Sequence, residues 1–526
     1  MAKNLTRYDK RTYRLLSMIG LVLVAAFAIT WFNPSNFPQT FQGPLWFVNV
    51  LLFILTTYII WHEIVSGLYS FQLLRKIKPY RHKAPQKGLK VAFITTFVPG
   101  SEPHSMLRRS LQAMTEAHYE HDTWLLDEGN DAKAKQICKD LGVQYFTRKN
   151  KKKYNTDGGK FAKKTKGGNH NAWYDAHGHA YDIVAQADTD FIVKKNFLTE
   201  TLGQFRNPKV AFVGTPQYYG NYDNGLVARG AAEQTYSFYG PMMRGQSGYN
   251  SPMMIGANHI VRVSALKSID YYAAHLTEDL LTGMRLFAAG WQSVYCPKVL
   301  AVGEGPTSWD AYFAQQMRWA HGCFEVLFRH SWKLLPKMNI HRSLRLFVSL
   351  QHYFSGFNLI VGSVLLSLYF LLGIASANYS LQNTLLIYLP LLAWLYLVPL
   401  WYHRFNILHK KEHGLMLAGK IVNLAVQPIF FLAFIGAVRN KKISFHVTPK
   451  GQDVDDVVSF RLFSFHIALG VLSLGSLVVG LILGRFSYIL VFWAIANTTV
   501  ALIFIGIVLK SKLVRRNNAT FVRSEQ

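Results

Sequence analysis

Cysteine is scarce in this chain, with three in 526 residues. Cys138, Cys296 and Cys323 are widely separated, form no CxxC pair and are odd in number, so no disulfide framework follows from them and they read as reduced thiols in cytosol. Acidic residues are few as well, 29 against 57 Lys plus Arg, for a net charge of +28. Only 16% of the residues are charged while half are hydrophobic, a balance that fits a mixed soluble and membrane protein better than a fully embedded transporter. An excess of positive charge on that scale suits nucleic acid, anionic lipid or an anionic substrate. The long apolar runs put lipid first.

Residues 15–32 and 45–65 are each apolar enough, and at 1.5 Å per residue long enough, to cross a hydrocarbon core of about 30 Å. Lys and Arg precede the first run and follow the second but are absent from residues 33–44 between them, so both flanks belong on the cytoplasmic side. A cleaved signal peptide is disfavoured because no small-residue cleavage site follows the first run. Further runs at 346–375, 385–401, 462–483 and 488–509 bring the expected spans to six. The run 415–438 is apolar but contains Lys420, Asn423, Gln427 and Pro428, and if it crossed, the segment 439–461 and the basic C-terminal tail could not both be cytoplasmic; it is expected to lie at the interface as an interfacial or re-entrant helix. The chain thus divides into an N-terminal hairpin (1–70), a cytoplasmic domain (71–343) and a C-terminal membrane region (344–526).

Within the polar stretch, residues 90–96, 123–127, 181–187 and 210–214 read as strands, and 106–116, 131–141 and 166–176 as helices. Such alternation predicts an α/β domain with a mostly parallel sheet and chemistry at the strand C-terminal ends, where Asp127 and Asp188 fall. The basic segment from Arg148 to Lys153 reads as a mobile, solvated loop. It lacks the interleaved aromatics of a nucleic-acid surface, and nucleic acid is not an expected partner.

Three clusters carry candidate chemistry. Asp188-Thr189-Asp190 ends an apolar strand, where extended geometry would turn both carboxylates one way and Thr189 the other. Hard oxygen ligands of this kind recruit Mg²⁺ or Mn²⁺, whose open positions a nucleotide-sugar diphosphate can fill, although a surface turn gives the same tripeptide. Thr277-Glu278-Asp279 opens a helix, with Thr277 placed to cap it. There Asp279 could act as a general base; the helix dipole would lower its pKa and Glu278 would raise it. Gln315, Arg318 and Trp319 lie on one helix near the membrane, where Arg318 can clamp a diphosphate and Trp319 can stack on a pyranose. The same pair also serves as an ordinary interfacial anchor.

In order, Asp127, the DxD at 188–190, the TED at 277–279 and the QxxRW at 315–319 resemble the processive family 2 glycosyltransferases, a group that includes cellulose and hyaluronan synthases. The resemblance implies a GT-A fold in which Asp127 and Asp188 contact the nucleotide and Asp190 holds the metal. It implies that Asp279 is the base, with Glu278 beside it, and that Gln315, Arg318 and Trp319 bind diphosphate and acceptor. Lys166, in Lys166-Gly167-Gly168-Asn169, is similar to a nucleotide-contacting lysine of the group. Residues 445–451, within the connector 443–452, resemble the FxVTxKG gating loop of cellulose synthases, with Thr448 and Lys450 directed to the diphosphate. Residues 255–258 stand where that family has an FCG-type acceptor motif, but without its cysteine.

The expectation is a multi-pass enzyme of a bacterial plasma membrane that takes a UDP-sugar, most simply UDP-glucose, and extends a growing polysaccharide that is threaded through the bilayer. Tyr353, Phe354, Phe357, Trp394 and Trp401 are candidate aromatics for that path, with packing and membrane-belt roles as the alternative for each, and accessory subunits are not specified. Transfer of one sugar to a lipid carrier, and a transporter without catalysis, are the rival readings.

Overall fold

A computed structural model describes residues 5–441 and 458–524. The segment 445–451, with Thr448 and Lys450, lies outside the described residues.

The soluble domain is built on a seven-stranded sheet of order β3-β2-β1-β4-β7-β6-β8. Its strands are β1 (Val91–Phe97), β2 (Asp122–Asp127), β3 (Gln144–Phe146), β4 (Ile183–Ala187), β6 (Val210–Gly214), β7 (Asn258–Arg262) and β8 (Gln292–Tyr295); β5 (Phe191–Val193) and β9 (Ala301–Gly303) pair separately. Only β7 runs against its neighbours, so the sheet is mostly parallel. Successive residues point to opposite faces. Val91 and Phe93 of β1 therefore enter one apolar core while Ala92 and Ile94 enter the other, and burial on both faces explains why these strands read as continuous apolar runs.

The connection after β3 differs from expectation. Arg148 is fully buried, donating to Glu128 at 2.8 Å and to the carbonyls of Tyr154, Ala162 and Thr165. Lys149, Lys151, Lys152 and Lys153 are exposed as anticipated, but the loop they decorate is wound around one guanidinium. Five fixed donors can satisfy several carbonyls at once, which a solvated charge run would not do.

Among the described residues, seven helices are long and apolar enough to cross a membrane: Arg7–Trp31, Gly43–Lys76, Ile340–Leu372, Leu381–Phe405, Leu417–Val438, Phe460–Ile482 and Tyr488–Leu513. Length and composition thus put one more helix in the spanning class than charge parity does. Leu417–Val438 is the most buried of the seven, and it packs against the soluble domain's Gly225–Ser237 and Trp309–Glu325 helices. A side chain at Gly230 would collide with Val422, and Glu233 accepts from the Gly419 amide at 2.8 Å, capping this helix from the soluble domain.

Candidate active site

The loops at the C-terminal ends of β1 and β4 meet the starts of three helices around a cavity of about 1140 Å³. Lys166, Asp188, Asp190, Glu278, Asp279, Gln315, Arg318 and Trp319 all line it. Four clusters spread over more than 150 residues of sequence therefore share one space.

Asp188-Thr189-Asp190 forms a turn just past β4 rather than an extended end. The division of faces still holds: Thr189 is buried and donates to the Thr96 carbonyl at 2.5 Å, while both carboxylates face the cavity. Lys166 begins the helix Lys166–Ala176, which Thr165 caps by accepting from the Gly168 amide at 3.0 Å. From there its ammonium donates to Asp188 and to the Gly256 carbonyl at 2.7 Å, and stands 3.6 Å from Glu278. A side chain at Gly167 would collide with the Ala273 carbonyl, so glycine lets the helix start come this close to the neighbouring backbone.

The carboxyls are tuned by burial. Burial raises Asp188 to about 6 against the opposing charge of Lys166, with Asp190 adding to the rise. Glu278 is lifted to about 7 by burial, opposed by Lys166 and reinforced by Asp279 and Asp188. Asp279 is also raised by burial, although it accepts from the Leu280 amide at 2.7 Å. The expected balance between helix dipole and Glu278 is thus outweighed by desolvation. Lys166 stays charged: burial would lower it, but Asp188 and Glu278 push it up to about 12.

Three expectations are corrected. Thr277 occupies the cap position of the helix Glu278–Ala288 without capping it; its hydroxyl lies 3.2 Å from His275 Nδ1 instead. Asp127 is fully buried and does not line the cavity. It accepts from the amides of Gly129 at 2.7 Å and Asp131 at 2.6 Å and from Tyr145, shaping the turn that presents Glu128 to the cavity. Among the five aromatics expected along a path, Tyr353 alone lines the cavity. Trp394 donates to the Leu16 carbonyl at 3.0 Å, Phe357 packs edge-on to Phe434 at 4.7 Å, and Trp401 meets Phe405.

Gly256, within the 255–258 segment singled out from the sequence, lines the cavity as well: a Cβ there would sit 3.1 Å from Asp279 Oδ2 and 3.4 Å from Glu278 Oε1. Other lining residues escaped the sequence reading. Ser66 and Ser70 of the helix Trp46–Leu73, and Tyr396 and Leu400 of the helix Leu389–Tyr402, also line the cavity. They carry no motif, and only packing brings them to the site.

A mostly parallel sheet with paired acids at its strand ends, beside an Arg-Trp helix, defines a glycosyltransferase of the GT-A type. Residues 183–403 match the family model "Glycosyl transferase family group 2". The chain carries a family 2 glycosyltransferase domain, and catalytic subunits of cellulose synthases are among its homologues. It is 33% identical over 159 residues to a UDP-forming cellulose synthase catalytic subunit of Dictyostelium discoideum, covering 29% of this chain and 14% of that protein. It is 26% identical over 243 residues to the UDP-forming cellulose synthase catalytic subunit of Xanthomonas axonopodis pv. citri, covering 44% and 32%. "Probable glucomannan 4-beta-mannosyltransferase 2" of Oryza sativa subsp. japonica is 27% identical over 233 residues, covering 41% and 38%. The matches therefore span well under half of each of these relatives. Among solved structures, the mannosyltransferase PcManGT from Pyrobaculum calidifontis in complex with GDP-Man and Mn²⁺ aligns over 74% of this chain and 100% of its own, with a TM-score of 0.48 and 15% identity.

Proposed function

We propose that this protein is a membrane-embedded, inverting, processive β-glycosyltransferase that extends a polysaccharide from a UDP-sugar, UDP-glucose first among the donors to test, and passes the product across a bacterial plasma membrane. The observation that carries the reading is the continuity of one cavity from Asp190, Asp279, Arg318 and Trp319 to Ser66, Ser70, Tyr396 and Leu400 on two membrane-length helices. A site that transferred one sugar to a small soluble acceptor would have no use for that continuity.

In this reading Asp279 takes the proton of the acceptor hydroxyl as that oxygen attacks the anomeric carbon. The bond from that carbon to the diphosphate breaks, and the nucleoside diphosphate leaves with its electron pair and with inversion. Arg318 pairs with the diphosphate and Trp319 offers its face to the acceptor pyranose. Lys166 holds Asp188 ionised beside the donor.

The residues suit Mg²⁺ or Mn²⁺ as well. Asp190, beside Asp188 on the cavity wall, would be the protein's hard oxygen donor. Among the described residues no group of three His, Cys, Asp or Glu side chains could hold an ion alone, as befits a cation that completes its shell with diphosphate and water. Bound there, the ion would neutralise charge on the leaving diphosphate.

The test is incubation of the purified full chain with labelled UDP-sugars and Mg²⁺ or Mn²⁺, followed by product sizing and linkage analysis. Long polymer is expected. Short lipid-linked products would establish the single-addition reading instead, and no transfer from any UDP-sugar would overturn both.

A further inference from the structure

Within the seven membrane-length helices, Asp9 and Glu63 are the only carboxylates. Asp9 sits in the first turn of its helix as half of a capping box. Glu63 lies well inside the helix Trp46–Leu73, where a bare carboxylate is costly in hydrocarbon and marks a site that binds something. Three and seven residues on, Ser66 and Ser70 share its helix face, and both line the catalytic cavity. Glu63 therefore stands about 4.5 Å further along the helix than Ser66, on the side away from the soluble domain.

Its surroundings are polar and drawn from three helices. Asn358 Nδ2, on the helix Ser355–Leu372, donates to Glu63 Oε1 at 3.0 Å, and His62 Nδ1 lies 3.8 Å from the same oxygen. His62 is held by Gln351, whose carbonyl is 3.1 Å from Nε2. The Asn358 Oδ1 atom is buried with no hydrogen-bond partner among the described residues. Half of the Glu63 side chain remains open, and the helix Leu389–Tyr402, which carries Tyr396, packs so closely on the Glu63 helix that a side chain at Gly67 would collide with Leu395. Tyr396 and His352 line the cavity. A half-open carboxylate held in place by an amide, with a phenol on the adjoining helix, supplies the parts from which pyranose sites are made: the carboxylate accepts from two vicinal hydroxyls, the amide fixes its orientation, and the ring packs on the sugar face.

We infer that Glu63, Asn358 and Tyr396 form a sugar-binding station one helical turn beyond the catalytic cavity, which accepts a neutral glycan bearing vicinal hydroxyls and excludes anionic, uronate-bearing chains. The inference rests on the reading that a polysaccharide leaves through these helices. Exclusion follows from charge, since a uronate would bring a second carboxylate against Glu63 in a site of low dielectric.

The experiment measures binding of cellohexaose and of a hexauronate of equal length to the full chain in nanodiscs without donor, with UDP binding followed in parallel. Cellohexaose is expected to bind and the hexauronate not. Glu63→Leu is expected to weaken cellohexaose about tenfold, the loss of a hydrogen bond to a charged group, and Glu63→Gln to admit the hexauronate, with UDP binding unchanged in both. If the wild type binds neither oligosaccharide, or both equally, or if Glu63→Leu binds cellohexaose as the wild type does, the station is refuted. Should Glu63→Leu lose UDP binding through misfolding, the Glu63→Gln comparison decides alone: admission of the hexauronate supports the station and continued exclusion refutes it. Binding as expected with no transfer from any UDP-sugar overturns the polymerase reading and leaves the station standing.

Discussion

Lys166 donates to Asp188 while its ammonium also stands 3.6 Å from Glu278, so one buried cation joins the DxD turn to the TED helix. Without it, Asp188, Glu278 and Asp279 would face one another across a desolvated space. Lys166→Met is therefore expected to destabilise the domain by about 3 kcal/mol, the order found when one partner of a buried pair is removed, and to weaken UDP binding. Thermal denaturation and UDP titration of the variant measure both; an unchanged midpoint would remove Lys166 from the architecture of the site.

Asp279→Asn keeps the size and most contacts of the side chain but removes the base. UDP affinity is expected to stay within about twofold, while sugar transfer falls by about 10² to 10⁴, the usual contribution of a general base. Single-turnover transfer separates the two quantities.

Gly256→Ala places a methyl 3.1 Å from Asp279 Oδ2 and 3.4 Å from Glu278 Oε1. The Asp279 carboxylate must shift by a few tenths of an ångström, while Glu278 stays at ordinary contact distance. Transfer is expected to drop about tenfold or more, because misplacing a reacting group is expensive, with little change in thermal stability.

Burial raises Glu278 to about 7, whereas a glutamate in an unfolded chain titrates near ~4.3. Between those values the native state keeps a proton that the unfolded state has released, so Glu278 makes stability fall as pH rises from about 4 to about 7, by up to about 1.4 kcal/mol per unit. Glu278→Gln should flatten the thermal midpoint of ligand-free protein across that window relative to the wild type. Parallel profiles would contradict the assignment.

Arg148→Lys is expected to cost about 3 kcal/mol, close to the effect of Arg148→Met, because an ammonium cannot reproduce the planar fork that serves Glu128 and three separate carbonyls. Denaturation of the two variants side by side checks this.

How much was legible beforehand depended on whether a residue's role is local. The strand 210–214 and the helix 166–176 appear with the bounds read from sequence, because period and turn residues specify them locally. The roles of Thr277 and Arg148 were misjudged because they depend on partners at other points of the chain: the His275 ring and the carbonyls of residues 154–165. The path aromatics fared worst for the same reason. An apolar helix presents an aromatic toward lipid, core or cavity, and only its neighbours determine which.

The sequence by itself determined the alternating α/β domain, the membrane-length helices and the acids, lysine and Arg-Trp pair that the chemistry needs, since hydropathy, periodicity and residue type are properties of short segments. Tertiary structure alone decided that these clusters share one cavity, that Asp127 shapes a turn behind it, that desolvation outweighs the helix dipole at Asp279, and that the cavity reaches Ser66 and Tyr396. Burial and electrostatic coupling arise between segments far apart in the chain, and they come into being only when the sheet and the membrane helices are packed together.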